Sequence, residues 1–211
     1  MPYFVCSSFL LRYIVYPMLR WRYKTNEKVI YLTFDDGPIP NITPWVLEQL
    51  ALHQAKATFF CIGDNVQKNG AIYQQIINSG HRVGNHTQYH CNGWLTDKAT
   101  YLADVVTCSG LVQSSLFRPP YGRISRAQIK AILGDEMGIG INQIIMWDVL
   151  SADFDTQITP EQCAANVIRN ARAGSIVVFH DSEKAFPRLQ HALPIVLSHF
   201  SNLGFRFDVL P

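Results

Sequence analysis

The stretch Val29-Ile-Tyr-Leu-Thr-Phe-Asp-Asp-Gly-Pro38 constrains the fold more than any other part of this 211-residue chain. An apolar, β-branched and aromatic run ends abruptly in two adjacent carboxylates, and Gly37 and Pro38 then stop the strand. A buried strand ending in Asp35 and Asp36 carries two charges to the mouth of a parallel sheet or barrel, where such folds keep their chemistry. Two neighbouring acids ionise together at such a place only with positive charge beside them. A metal ion meets that need, and further ligand types follow about fifty residues later.

Other segments repeat the strand signal: Ala57–Ile62, His81–Asn85, Gln143–Val149, Ser175–His180, Arg206–Val209 and a short one near Phe117. Helical patterns lie between them. Thr43-Pro44 reads as an N-cap with proline at the first helical position, opening a helix to about His53. Thr159-Pro160-Glu161 repeats that signal for a helix to Arg172. Asp97–Ser114, Ser125–Gly134 and Phe186–Asn202 behave similarly, and Gly174 and Gly204 follow helices where a left-handed stop is expected. The alternation predicts an α/β fold, a distorted and nearly closed (β/α) barrel of about seven strands with right-handed crossovers. The loops after its strands then converge, and they hold Asp35-Asp36, His86–His90, Arg118–Tyr121, Asp153-Phe154 and His180-Asp181.

The length suits one domain with a full-sized core. A hydrophobic content of 48%, a charged content of 16% and a net charge of +2 leave no footprint for nucleic acid. The five cysteines are odd in number, scattered and without a Cys-x-x-Cys pair, which argues for reduced thiols and against a cysteine-based zinc site. Met1 to Leu19 is apolar but interrupted by Arg12 and Pro17, with Arg20, Arg22 and Lys24 behind it. It matches neither a secretory signal nor a spanning helix. Residues 1–27 are therefore expected to form a separate segment. The expectation is an amphipathic helix on the barrel's bottom or side, or a peripheral membrane contact through residues 1–24. A cytoplasmic or membrane-associated location follows from the same features.

His86 and His90 stand at i and i+4, so one helical turn would point both imidazoles at a shared ion. Two imidazoles with one carboxylate suit zinc, with cobalt or nickel as alternatives, and leave positions open for water and substrate. If one of Asp35 and Asp36 binds the ion, the other is free to act as a general base. A bound water would have its pKa lowered from roughly 15.7 to about 7. Arg118 is available either to hold that base ionised or to brace its proline-flanked loop. His180 ends the run Ile176-Val-Val-Phe179 and reads as a third ligand, a general acid or a core histidine. Placed opposite a metal and a base, the acid role is favoured, with Asp153 as the partner that keeps it protonated.

With Thr33-Phe-Asp-Asp-Gly-Pro38, His86-Thr-Gln-Tyr-His90, Arg118-Pro-Pro-Tyr121 and Val178-Phe-His180, the chain from about Lys28 to Val209 resembles the NodB-homology polysaccharide deacetylases, carbohydrate esterase family 4. The resemblance implies a hydrolase that uses a divalent metal to remove acetyl groups from N-acetylated, or O-acetylated, saccharides. It makes Asp35 the base, Asp36, His86 and His90 the metal ligands, and Arg118 the residue positioning the base. His180 becomes the acid, tuned by Asp153. Tyr121 supplies a backbone N–H to the oxyanion beside Pro119. The fourth motif departs from the family pattern in Leu150-Ser-Ala-Asp153-Phe154, with leucine for the first acid and phenylalanine for the tryptophan lining the acetyl pocket. Asp148 is a spare carboxylate nearby. The rival reading is a carbohydrate-binding or regulatory barrel that keeps the metal without turnover; the complete set of Asp35, Arg118 and His180 weighs against it. A phosphatase is more distant, because an Asp-x-Asp arrangement would be expected there. N-acetylated glycan or amino sugar is the expected partner.

Overall fold

In the computed structural model, which describes residues 5–7 and 16–211, the run singled out above is β1 (Val29–Asp35), buried at all seven positions. That burial needs strands on both edges and packing on both faces. The other strands are β2 (Ala57–Cys61), β3 (Arg82–Asn85), β4 (Leu116–Phe117), β5 (Gln143–Ile144), β6 (Val149–Leu150), β7 (Ile176–His180) and β8 (Arg206–Phe207). Their order is β5-β4-β3-β2-β1-β7-β6, every ladder parallel. β8 pairs with Val29 and Ile30, the part of β1 that precedes the register with β2 at Leu32.

The pleat of β1 sorts its side chains. Ile30, Leu32 and Phe34 join the cluster under the outer helices, where Phe34 stacks on Phe59 and Phe179 at centroid distances of 5.0 and 6.0 Å. Val29 and Tyr31 join Phe60, Leu116, Ile145 and Ile176 on the opposite, inner face. Each fully buried large side chain of this kind stabilises the fold by about 1.5–3 kcal/mol. Thr33 and Asp35 share the parity of the inner set, so the pleat alone turns Asp35 into the barrel.

The outer layer comprises α1 (Ile42–Leu52), α2 (Gly63–Lys68), α3 (Gly70–Asn78), α4 (Lys98–Ser109), α5 (Arg126–Leu133), α6 (Pro160–Asn170) and α7 (Phe186–Asn202). Ser125 with Gln128, and Thr159 with Gln162, close reciprocal capping boxes that satisfy otherwise orphaned N–H groups. The Thr43-Pro44 signal was misleading. α1 starts two residues earlier, Asn41 precedes it without a side-chain cap, and Thr43 lies inside with its hydroxyl bonded to Asp181. Helices α2 and α3 lack the cap-and-proline signal, and the sequence reading passed over them. Gly204, just past α7, takes φ 75°, and Gly174 takes φ 80° four residues beyond the end of α6.

The barrel is open at a seam rather than nearly closed. Gln143–Val149, expected as one strand, divides into β5 and β6 at opposite edges of the sheet. The four residues between them reach at most about 17 Å, so the sheet must curl until its two edges face each other across that gap. Asp148 lies at the break and ties it to the start of β7: its carboxylate accepts from the Ile176 N–H at 2.8 Å and the Ser175 hydroxyl at 3.0 Å. It is structural. The N-terminal chain fills the seam, with Arg20 N–H donating to Ile144 O, Met146 N–H to Arg20 O and Leu150 N–H to Val5 O. The helix expected before Leu19 falls mostly outside the described residues, and the described ones there, 5–7 and 16–19, are not helical. Among the described residues no helix is long and apolar enough to cross a membrane.

Candidate active site

Asp35, Asp36, His86, His90, Arg118, Tyr121, Asp153, Phe154 and His180 lie at or just beyond the C-terminal ends of the strands, whereas Asp148 sits at the opposite end of β6. Asp35 is the last residue of β1 and points into the barrel, where Arg118 meets it. Arg118 is fully buried and its Nη1 donates to Asp35 Oδ1 at 2.6 Å and to Thr33 Oγ1 at 2.7 Å. Nε donates to Ile145 O and Nη2 to Met146 O, while the guanidinium carbon lies 4.1 Å from the Phe60 ring centroid. Arg118 therefore bonds the Asp35 carboxylate and the backbone carbonyls of the seam at once. Burial lowers its pKa while Asp35 raises it. Arg118→Met strands the Asp35 charge in the core, so about 3–5 kcal/mol of stability should be lost. Denaturant titration checks this, and the double substitution Asp35→Asn/Arg118→Met should recover part of the loss.

Asp36 points elsewhere because its backbone turns left-handed at φ 84°. Its Oδ1 lies 3.3 Å from His90 Nε2 and 3.8 Å from His86 Nε2. Asp36, His86 and His90 offer donor atoms all within 4.8 Å of one another. The histidines meet without a helix: residues 86–90 form a loop, with Thr87 and His90 at φ 66° and 57°. The i,i+4 spacing survived, but the loop is shaped by other residues. Asn85 Oδ1 accepts from Thr87 N–H, and the buried Asp104 accepts from the N–H groups of Gln88 and Tyr89.

His86 Nδ1 lies 2.7 Å from Arg118 O. A carbonyl only accepts, so Nδ1 carries the proton and Nε2 presents its lone pair to the cluster. Burial, with His90 nearby, lowers the His86 pKa to about 3 against the pull of Asp36. His90 is lowered too, chiefly by burial. Neutral imidazoles beside a carboxylate form a donor set suited to a divalent ion.

His180 ends β7 opposite this cluster. Its Nδ1 is 2.7 Å from Asp153 Oδ1, and its own N–H donates to Asp153 Oδ2 at 2.7 Å. Burial alone lowers its pKa, but the charge and hydrogen bond of Asp153, backed by Asp36 and Asp35, raise it to about 10. Arg188 holds Asp153 from behind through its carbonyl, at 2.5 Å. Phe154 stands edge-on to the imidazole at 5.3 Å. Tyr121, at φ 60°, sets its ring 4.5 Å from that of His90 and follows the buried Pro119 and Pro120. Leu150 is buried in β6 beside Val178 of β7, away from any polar role.

Sequence reasoning gave no role to Asp181, although it lies on the predicted rim. It is fully buried, accepts from Gly37 N–H at 3.0 Å and Thr43 Oγ1 at 2.5 Å, and donates its own N–H to Asp35 O. It thereby pins the turn that separates Asp35 from Asp36. A Cβ on Gly37 would sit 2.0 Å from Asp181 Oδ2, so only glycine fits. Burial pushes this carboxyl up to about 8, with Asp36 adding to the effect and the bond from Thr43 opposing it.

Residues 22–135 match the polysaccharide deacetylase family model. A peptidoglycan-N-acetylglucosamine deacetylase of Bacillus cereus is 34% identical over 193 residues, covering 89% of this chain and 88% of that protein. The crystal structure of a peptidoglycan N-acetylglucosamine deacetylase in complex with 4-naphthalen-1-yl-N-oxidanyl-benzamide superposes with a TM-score of 0.84 at 28% identity, covering 97% of this chain and 95% of that one. A family 4 acetyl xylan esterase from Clostridium thermocellum, in complex with a cobalt ion, gives 0.72 at 28% identity over 86% of this chain and 88% of that one.

Proposed function

The chain belongs to the polysaccharide deacetylase family and is a carbohydrate deacetylase, and from that premise we propose that it hydrolyses the N-acetyl group of N-acetylglucosamine in a cell-wall-type glycan. Asp36, His86 and His90 would hold the divalent metal on which this family depends, and zinc suits two imidazoles and a carboxylate. When bound, that ion supplies Lewis acidity at the acetyl carbonyl and the attacking water.

The chain's own groups divide the proton transfers. Asp35, held by Arg118, takes the proton from the attacking water. His180, protonated through Asp153, gives one from Nε2 to the departing sugar nitrogen. The backbone N–H of Tyr121 donates to the developing oxyanion, and Phe154 with Pro119 walls the acetyl group. The single observation that carries this reading is the divergence of two adjacent carboxylates, one bonded to a buried arginine and the other facing two imidazoles. A general base and a metal ligand need those two environments.

An acetate-release screen over peptidoglycan fragments, N-acetylglucosamine oligomers and acetylated xylan tests the proposal. Release from the N-acetylated substrates well above that from xylan is the expected result. Release from xylan alone would move the assignment to an ester, and release from none of them would return the binding barrel.

A further inference from the structure

We propose that Asp181 and Asn65 are positioning residues that set the metal affinity of the site by clamping the turn at Asp36 and Gly37 from two sides; this rests on the metal-dependent deacetylase reading above. Asp36 takes φ 84°. A residue with a Cβ adopts that backbone at a cost, and it persists only where the surroundings over-determine it. Here they do. Asp35 O accepts from the Asp181 N–H at 3.1 Å, Asp36 O from Asn65 Nδ2 at 2.7 Å and Gly37 O from the Ile62 N–H at 3.1 Å. Gly37 N–H donates to Asp181 Oδ1 at 3.0 Å. Thr43 Oγ1 donates to Asp181 Oδ2 and accepts from the Ile39 N–H, which extends the hold along the loop.

The two side chains reach the turn from opposite edges of β1. Asp181 follows β7 and Asn65 lies on α2, just after β2, and those are the strands that flank β1. Neither residue belongs to the cluster of Asp36, His86 and His90. Both act on the backbone that aims the Asp36 carboxylate at the two imidazoles while Asp35 is turned to Arg118. A carboxylate aimed in advance has little freedom left to lose when an ion binds. Loss of such an outer partner lowers metal affinity by about 10-fold to 100-fold.

The test titrates metal-stripped protein with zinc against a competing chelator and follows the folded fraction by circular dichroism. Asn65→Ala and Asp181→Ala should each raise the zinc dissociation constant about 10-fold to 100-fold. Asp181→Asn keeps an oxygen for the Gly37 N–H and should recover most of the loss. Val167→Ala, in the buried face of α6, should lower stability without changing zinc affinity. Should Asp181→Ala fail to fold, Asn65→Ala decides, because alanine suits the helix that carries it. Wild-type zinc affinity in Asn65→Ala, or an equal loss in Val167→Ala, overturns the clamp and leaves the deacetylase reading intact. A wild-type protein that binds no zinc overturns the metal centre and the clamp with it.

Discussion

Chelation should abolish acetate release, and zinc, cobalt or nickel added back should restore it. On the proposed reading three protein ligands would hold the ion, so His86→Ala or His90→Ala would leave two and should empty the site in metal analysis. His86 has the larger effect of the pair, because it also loses the bond to the Arg118 carbonyl that shapes the loop. The carboxylates should separate cleanly. Asp36→Asn should weaken metal binding, whereas Asp35→Asn should retain the ion and lose most turnover, since on the proposed reading it removes the base and leaves the ligand set. Full activity in metal-free protein would overturn the mechanism. Equal metal loss from both carboxylate variants would mean that the roles are shared.

His180→Ala should cut kcat by roughly 10²–10⁴, the range for a lost general acid, with metal content unchanged. The companion test is the pH–rate profile. Asp153 raises the His180 pKa against burial, which lowers it. In Asp153→Asn only the weaker pull of Asp36 and Asp35 still opposes burial, so the folded-state pKa falls and the imidazole loses its proton at lower pH. The alkaline limb should therefore move to lower pH. A limb that stays in place, or near wild-type turnover in His180→Ala, would make His180 a core histidine and give the leaving-group proton to another residue.

How much of this site was legible depends on the range of the interaction. The strand ending in Asp35-Asp36, the caps at Asp97, Ser125 and Thr159 and the span of α7 rest on neighbours within a few residues, so local pattern suffices for them. The roles of the two carboxylates are different in kind. Nothing in the dipeptide distinguishes Asp35 from Asp36. The strand's parity against the inner face of the curl, the left-handed turn at Asp36 and the Asp181 clamp on Gly37 separate them.

By itself the sequence determined that strands and helices alternate, that reactive side chains collect after the strands and which residue types are present for metal and proton chemistry. Those features follow from hydrophobic periodicity and from motif spacing. Only the tertiary structure decided the strand order, the open seam at Asp148, the non-helical His86–His90 loop and the pairing of Arg118 with Asp35 across 83 residues. Contacts between distant segments leave no period in a single chain. They exist only once the sheet has curled and brought its strand ends to one rim.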